Sequence, residues 1–126
     1  MNKIKITCGD ISFIAQLRDT PTANAVVDLL PITSVARTWG DEIYFEITST
    51  VDVTLEGDAK DVVQAGEIAY WVEGHCIAIG FGPTPVSRGN EIRLAARTNI
   101  WADTPDDVSR LAIVNAGDKV TVEAES

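Results

Sequence analysis

Hydrophobic and polar residues alternate with a period of two along most of the chain, which is the period of a half-buried β-strand. In residues 3–8, Ile4, Ile6 and Cys8 fall on one face and Lys3, Lys5 and Thr7 on the other. Gly9-Asp10 follows, and then Ile11, Phe13, Ala15 and Leu17 alternate with Ser12, Ile14 and Gln16. Two such runs joined by a glycine-led pair predict a hairpin, because glycine supplies the positive φ of a primed turn. The alternation returns at 42–47, with Ile43, Phe45 and Ile47 against Glu42, Tyr44 and Glu46. Residues 51–55 read as a short strand, and 56–61 as an acidic, solvated loop. Residues 68–72 and 75–81 read as two more strands, parted by Glu73-Gly74. In residues 91–101, Ile92, Leu94, Ala96 and Ile100 face one way, while Arg93, Arg97, Asn99 and Trp101 form a polar face. After a turn at Gly117-Asp118, Val120, Val122 and Ala124 alternate with Lys119, Thr121 and Glu123 as the last strand.

Two segments break this period. Thr20-Pro21 opens a helix, since threonine accepts from the first free N–H groups and proline suits the first helical position. Ala23, Val26, Val27 and Leu30 then fall at helical spacing, and Pro31 is expected to end the helix. Thr104-Pro105-Asp106-Asp107 repeats the chemistry of a helix start, followed by Val108, Leu111 and Ala112. The pattern thus predicts a mainly β chain with about eight strands and two short helices, closed into a barrel that hides its strand edges. Ile4, Ile6, Phe13, Ile43, Phe45, Val120 and Val122 are the expected inward set.

Composition narrows the partners. The 126 residues amount to one domain, read as 1–126. A formal net charge of −9 argues against duplex nucleic acid and against anionic membranes, both of which call for a basic surface. No apolar run is long enough to span a bilayer. Cys8 and Cys76 form no disulfide framework, and both are expected to be free thiols in a reducing, cytoplasmic setting. No His/Cys cluster has metal-ligand spacing, and Gly80-Phe81-Gly82 lacks the Lys-Ser/Thr of a phosphate loop, so neither a metal nor a cofactor is expected. The sequence specifies no oligomeric state.

Three stretches carry a family likeness: Asp19-Thr20-Pro21-Thr22-Ala23 running to Leu29-Leu30-Pro31; Thr38-Trp39-Gly40-Asp41-Glu42-Ile43-Tyr44-Phe45; and Gly66-Glu67-Ile68-Ala69-Tyr70-Trp71 continuing through Phe81-Gly82-Pro83-Thr84-Pro85. Together they resemble the small cyclophilin-like proteins of bacteria and archaea, a family without an agreed biochemical role. The likeness runs over nearly the whole chain and departs at Val72-Glu73, where the family often has prolines. It implies a closed, eight-stranded cyclophilin-like barrel with two short capping helices, in agreement with the alternation. Cyclophilins isomerise prolyl bonds through a Phe-His-Arg segment, a Phe-x-x-Gln and a later Trp. This sequence has no such signature, so none of those catalytic roles carries over.

The candidate chemistry gathers at a few positions. Trp39-Gly40 at a turn either plugs the barrel end or walls a ligand cleft. Glu42 and Tyr44 share a strand face, as solvated residues or as an acid–base pair. Tyr70 and Trp71, being neighbours on a strand, point to opposite faces. Phe81, Thr84 and Pro85 form a stiff turn that either rims a cleft or only fixes the strand exit. Arg97 and Asn99 sit together on the polar face, where arginine either clamps a carboxylate ligand or pairs with surface acids, and the resemblance places Asn99 where the family tends to carry asparagine. His75 is the only histidine, and no nucleophile elbow accompanies it. Three readings of function follow. The first is binding of a small molecule or short peptide in a cleft lined by Trp39, Glu42, Tyr44, Phe81, Thr84, Pro85, Arg97 and Asn99. The others are a peptidyl-prolyl isomerase working through unrelated residues, and a divergent small enzyme using Glu42 and Tyr44. A basic rim over an aromatic floor would favour the first two, and a buried carboxyl with a raised pKa the third.

Overall fold

The computed structural model describes residues 2–48 and 51–125. The strands are β1 (Lys3–Cys8), β2 (Ile11–Leu17), β3 (Ile32–Val35), β4 (Arg37–Thr38), β5 (Glu42–Glu46), β6 (Lys60–Val63), β7 (Glu67–Trp71), β8 (Cys76–Gly80), β9 (Ile92–Asp103) and β10 (Lys119–Ala124). Nine of them form one antiparallel wall in the order β3-β10-β1-β2-β9-β7-β8-β5-β4, and β6 pairs with β9 outside this path. The wall curls until β3 meets β5, where the Ser34 hydroxyl donates to the Glu46 carbonyl at 2.7 Å. The result is a nearly closed barrel with nine wall strands rather than eight. The additional wall strands are β3 and the two-residue β4, too short to show a period.

Gly9 takes φ 57° and closes the β1–β2 hairpin, in which Cys8 faces Ile11. The seven residues expected to point inward all belong to one buried cluster, with Phe45 fully buried. Helix α1 (Pro21–Val27) begins as expected, with the Thr20 hydroxyl accepting from the Ala23 N–H at 3.1 Å. It ends at Val27, ahead of Pro31, with Asp28 as its cap. The second helix is a single 3-10 segment (Val108–Ile113). It is capped by Asp107 rather than by Thr104, whose hydroxyl donates to the Ile14 carbonyl at 2.7 Å and accepts from the Asp106 N–H at 3.1 Å, ahead of the helix.

Two expectations fail for identifiable reasons. Residues 51–55 form no strand: the Val53 N–H donates to the Val51 carbonyl at 3.1 Å within the segment, and Asn99 donates to the Thr54 carbonyl at 2.9 Å and accepts from the Glu56 N–H at 2.9 Å. The segment 56–61 is only partly solvated. Glu56 accepts from the Thr22 hydroxyl at 2.6 Å, and β6 starts at Lys60.

The long β9 belongs both to the barrel wall and to its outer surface. Its second half pairs with β7, where a bulge between Ile68 and Ala69 leaves Trp101 between the pairs Ala102–Ile68 and Ile100–Ala69. Asn99 and Trp101, assigned from alternation to a polar outer face, are fully buried. The apolar set Leu94 and Ile100, together with the partly buried Ile92, instead forms a second cluster outside the wall, with Val63, Ala69, Ala78 and Tyr44. In the second half of β9 the faces are therefore the reverse of the expected ones, whereas Arg93 is partly buried and Arg97 exposed. Its first half pairs with β6 as an arm laid over the outer surface of the barrel.

Candidate functional site

The outer surface beneath this arm is built on small residues. Register places Tyr44, Ala78 and Ala69 in one row across β5, β8 and β7, with Glu42 beside Gly80 and Cys76 beside Trp71 in the flanking rows. Alanine and glycine in the middle leave room that larger neighbours surround. The arm comes down hard at one end, where a Cβ on Gly80 would overlap the Ile92 side chain.

A cavity of about 190 Å³ remains. Trp39, Tyr44 and Trp71 supply aromatic walls, and Ala78 lies between them. Leu94, Ala95, Ala96 and Thr98 of β9 close the far side, while Glu42 and Cys76 contribute the ionisable groups. Among the expected site residues, Trp39, Glu42 and Tyr44 are brought together here. The alternation missed Trp71, Cys76, Ala78 and the β9 residues, whose presence depends on register and on the arm.

Phe81, Thr84 and Pro85 do not line the cavity; they hold the turn that carries Trp39. The Asp41 N–H donates to the Pro83 carbonyl at 3.0 Å, and the Phe81 N–H donates to the Asp41 carbonyl at 2.8 Å. Gly40 takes φ 58° and lies so close to Pro85 and Thr84 that a Cβ would come within 2.9 Å of each. Thr84 is anchored in turn by its hydroxyl, which donates to the Arg93 carbonyl. Arg97 is exposed and lies on the other side of Trp71, in a neighbouring groove with Glu73 and Thr54. Asn99 is inside the barrel and serves the loop 54–56. His75 is exposed, takes a left-handed φ of 54°, and lies outside the cavity lining.

The electrostatics of the cavity centre on Glu42. The residue is only 6% exposed, and its Oε1 is buried with no partner among the described residues. Burial pushes its pKa up from 4.5 to about 7. The Trp71 indole Nε1 is likewise buried and unpartnered. Cys76 donates its Sγ–H to the Gly74 carbonyl at 3.2 Å, and its pKa is raised, first by burial and then by Glu46. No arginine, lysine or histidine lines the cavity. It therefore has the aromatic floor but not the basic rim, and it has the buried carboxyl. The isomerase reading finds no arginine there to aim at a prolyl amide.

Other charged groups are structural. Glu67 lies under Lys60 at 2.7 Å and Arg18 at 3.1 Å, and these cations, with the Gln64 N–H, hold its pKa down against the effect of burial. Arg93 is taken up by Asp61 and Glu91. Among the described residues no group of three His, Cys, Asp or Glu side chains is placed to hold a metal ion. No described helix is long and apolar enough to cross a membrane.

Comparison with known proteins agrees with this architecture. A family profile described as Cyclophilin-like matches residues 2–123. The solution structure of a hypothetical protein from Archaeoglobus fulgidus is similar, with 35% identity, a TM-score of 0.82, and coverage of 98% of this chain and 95% of that one. The structure of McbB in complex with tryptophan is similar at 17% identity and a TM-score of 0.69, over 98% of this chain and 45% of that one. At that identity the likeness is one of fold. No match is found among curated proteins.

Proposed function

This chain belongs to the cyclophilin-like family, and on that scaffold we propose that it binds a small, single-ring molecule in the cavity walled by Trp39, Tyr44 and Trp71. The observation that carries the reading is the Glu42 carboxyl, buried in a mostly apolar cavity with Oε1 unpartnered. A buried, unpaired polar atom costs about 1–3 kcal/mol, which a ligand supplying a hydrogen-bond donor would relieve. The aromatic and aliphatic lining adds apolar burial to that polar contact. At about 190 Å³ the space is slightly larger than the roughly 150 Å³ apolar cavity that takes up benzene. One ring with a short substituent fits it, and a peptide would enter by a single side chain. The two free thiols fit a reducing, cytoplasmic setting for such a protein.

The test is a titration with benzyl alcohol, which offers one ring and one hydroxyl donor, followed by tryptophan fluorescence. Saturable binding near a Kd of about 1 mM, or about −4 kcal/mol, is expected for so small a probe. It should disappear in Ala78→Leu, which fills the cavity. Unchanged binding in that variant would move the site elsewhere.

The same carboxyl favours a second reading, in which Glu42 exchanges a proton with the bound molecule. A carboxyl with a pKa of about 7 is suited to acid–base work near neutral pH, and Tyr44 stands on the same strand face within the cavity. Solvent deuterium entering an acidic C–H of a bound ligand, and ceasing to do so in Glu42→Gln, would support it. Equal exchange in both proteins would remove it.

A further inference from the structure

The cavity has a one-sided charge character. Its single carboxyl faces three aromatic side chains, and no cation stands within it. The nearby arginines lie outside its lining. Arg93 is paired with Asp61 and Glu91, and Arg97 lies beyond Trp71. Arg37 sits across the β4–β5 pair from Tyr44, close enough to Cys76 for its charge to offset part of the rise in that thiol's pKa, and lines a separate groove with Glu46. A carboxylate or phosphate ligand would therefore bring a second negative charge to Glu42 with no cation in the cavity lining to offset it. A cation meets the reverse situation: aromatic faces attract it, an ionised Glu42 becomes its counter-ion, and the net charge of −9 draws it in. Because Glu42 Oε1 lacks a donor, the cation should also carry an N–H.

We propose that the cavity selects a small organic cation, an aryl-alkyl ammonium whose ring lies among Trp39, Tyr44 and Trp71 and whose N–H donates to Glu42. This rests on the small-ligand reading above and names its chemical class.

Ionisation of Glu42 then accompanies binding. Tyr44 and Cys76 share the cavity with it; Asp41 precedes it, and Glu46 and Arg37 lie outside the cavity. The facing β9 residues Leu94, Ala95, Ala96 and Thr98 do not ionise, and Glu42 loses its proton as the pH rises through about 7. Affinity for the cation should rise as the pH climbs towards about 7 and level off above it.

The experiment compares benzylamine, benzyl alcohol and benzoate by calorimetric titration at pH 6 and pH 8. At pH 8 benzylammonium should bind at least about tenfold more tightly than benzyl alcohol, and benzoate should not bind. Benzylammonium should bind about tenfold more weakly at pH 6, with benzyl alcohol unchanged. In Glu42→Gln the preference for the ammonium should fall to within about threefold of the alcohol. A preference for benzyl alcohol or benzoate in the wild type overturns the proposal, as does a cation affinity that is level across pH 6–8. If benzyl alcohol binds in a way that Ala78→Leu abolishes and the ammonium has no advantage, the small-ligand reading stands without its cation. If none of the three binds, both fall.

Discussion

The indole of Trp71 occupies the space that a side chain on Gly74 would need: a Cβ there would overlap Cε3, Cζ3 and Cδ2 of the ring. The β7–β8 turn uses Gly74 for this close approach, while the left-handed position in the turn falls to His75, at φ 54°. One wall of the cavity is thus held from behind by the absence of a single atom. Gly74→Ala should displace the indole, destabilise the fold by about 1–3 kcal/mol, and weaken binding of a single-ring probe several-fold. Chemical denaturation and titration of the same variant check both parts. Unchanged stability and affinity would mean that the ring is not seated as described.

Glu42 makes stability depend on pH in a direction opposite to that of a paired carboxylate. Its pKa of about 7 in the folded protein exceeds the ordinary 4.5, so between those values the folded state holds the proton that the unfolded state has lost. Its contribution is fully present below about pH 4.5 and is lost as the pH rises through about 7, up to about 3 kcal/mol in all. Glu42→Gln keeps the shape and removes this loss. The two proteins should unfold at similar denaturant concentrations at pH 4.5, and the variant should be the more stable at pH 8. Parallel curves at both pH values would show that Glu42 titrates normally.

Asn99 does not line the cavity and is bonded inside the barrel. Its Nδ2 donates to Thr22 Oγ1 at 3.0 Å and to the Thr54 carbonyl, and its Oδ1 accepts from Glu56, tying α1 to the loop 54–56. Replacing it with alanine strands buried backbone groups and should cost about 2–4 kcal/mol. Ligand affinity, measured at a temperature where the variant remains folded, should stay within about twofold of wild type. A large loss of affinity with little loss of stability would return Asn99 to the site.

The thiols should be present but slow to react. Burial, followed by Asp118, raises the Cys8 pKa to about 12, and Cys76 is raised by burial as well. A thiol reagent should count two groups in denaturant without reductant, and little at first in the native protein. Cys76, which lines the cavity, should react before the fully buried Cys8. A count of zero, or the reverse order, would contradict this arrangement.

Alternation revealed the strands whose one face is buried, as in β1, β2, β5 and β10, because there the pleat and the core impose the same period. It misjudged β9 for a physical reason. Apolar residues pack on both sides of that strand, Trp101 within the barrel and Leu94 and Ile100 beneath the arm, so the period separates two faces without saying which is inside. Val51 and Val53 mimic a strand in a segment that pairs within itself and with the Asn99 side chain. In the cavity, Trp39, Glu42 and Tyr44 were legible as uncommon residues on one turn and strand. Trp71, Cys76 and Ala78 belong there through cross-strand register, which a linear pattern does not contain. The signal that could have located the floor is the set of small residues Ala69, Ala78 and Gly80 within consecutive strands rich in bulky ones.

The three tryptophans offer an internal control for the central claim, that a small molecule binds on the outer surface between β5 and the β9 arm. Trp39 and Trp71 line the cavity, and Trp101 is fully buried in the barrel core. The decisive measurement follows the three indole N–H resonances in a nitrogen-15 correlation spectrum during titration with benzylammonium and with benzyl alcohol. Saturable shifts are expected for Trp39 and Trp71 with one common Kd, beside a nearly stationary Trp101. A Trp101 signal that moves with the others, or two cavity signals that stay still while the probe binds, would contradict that claim.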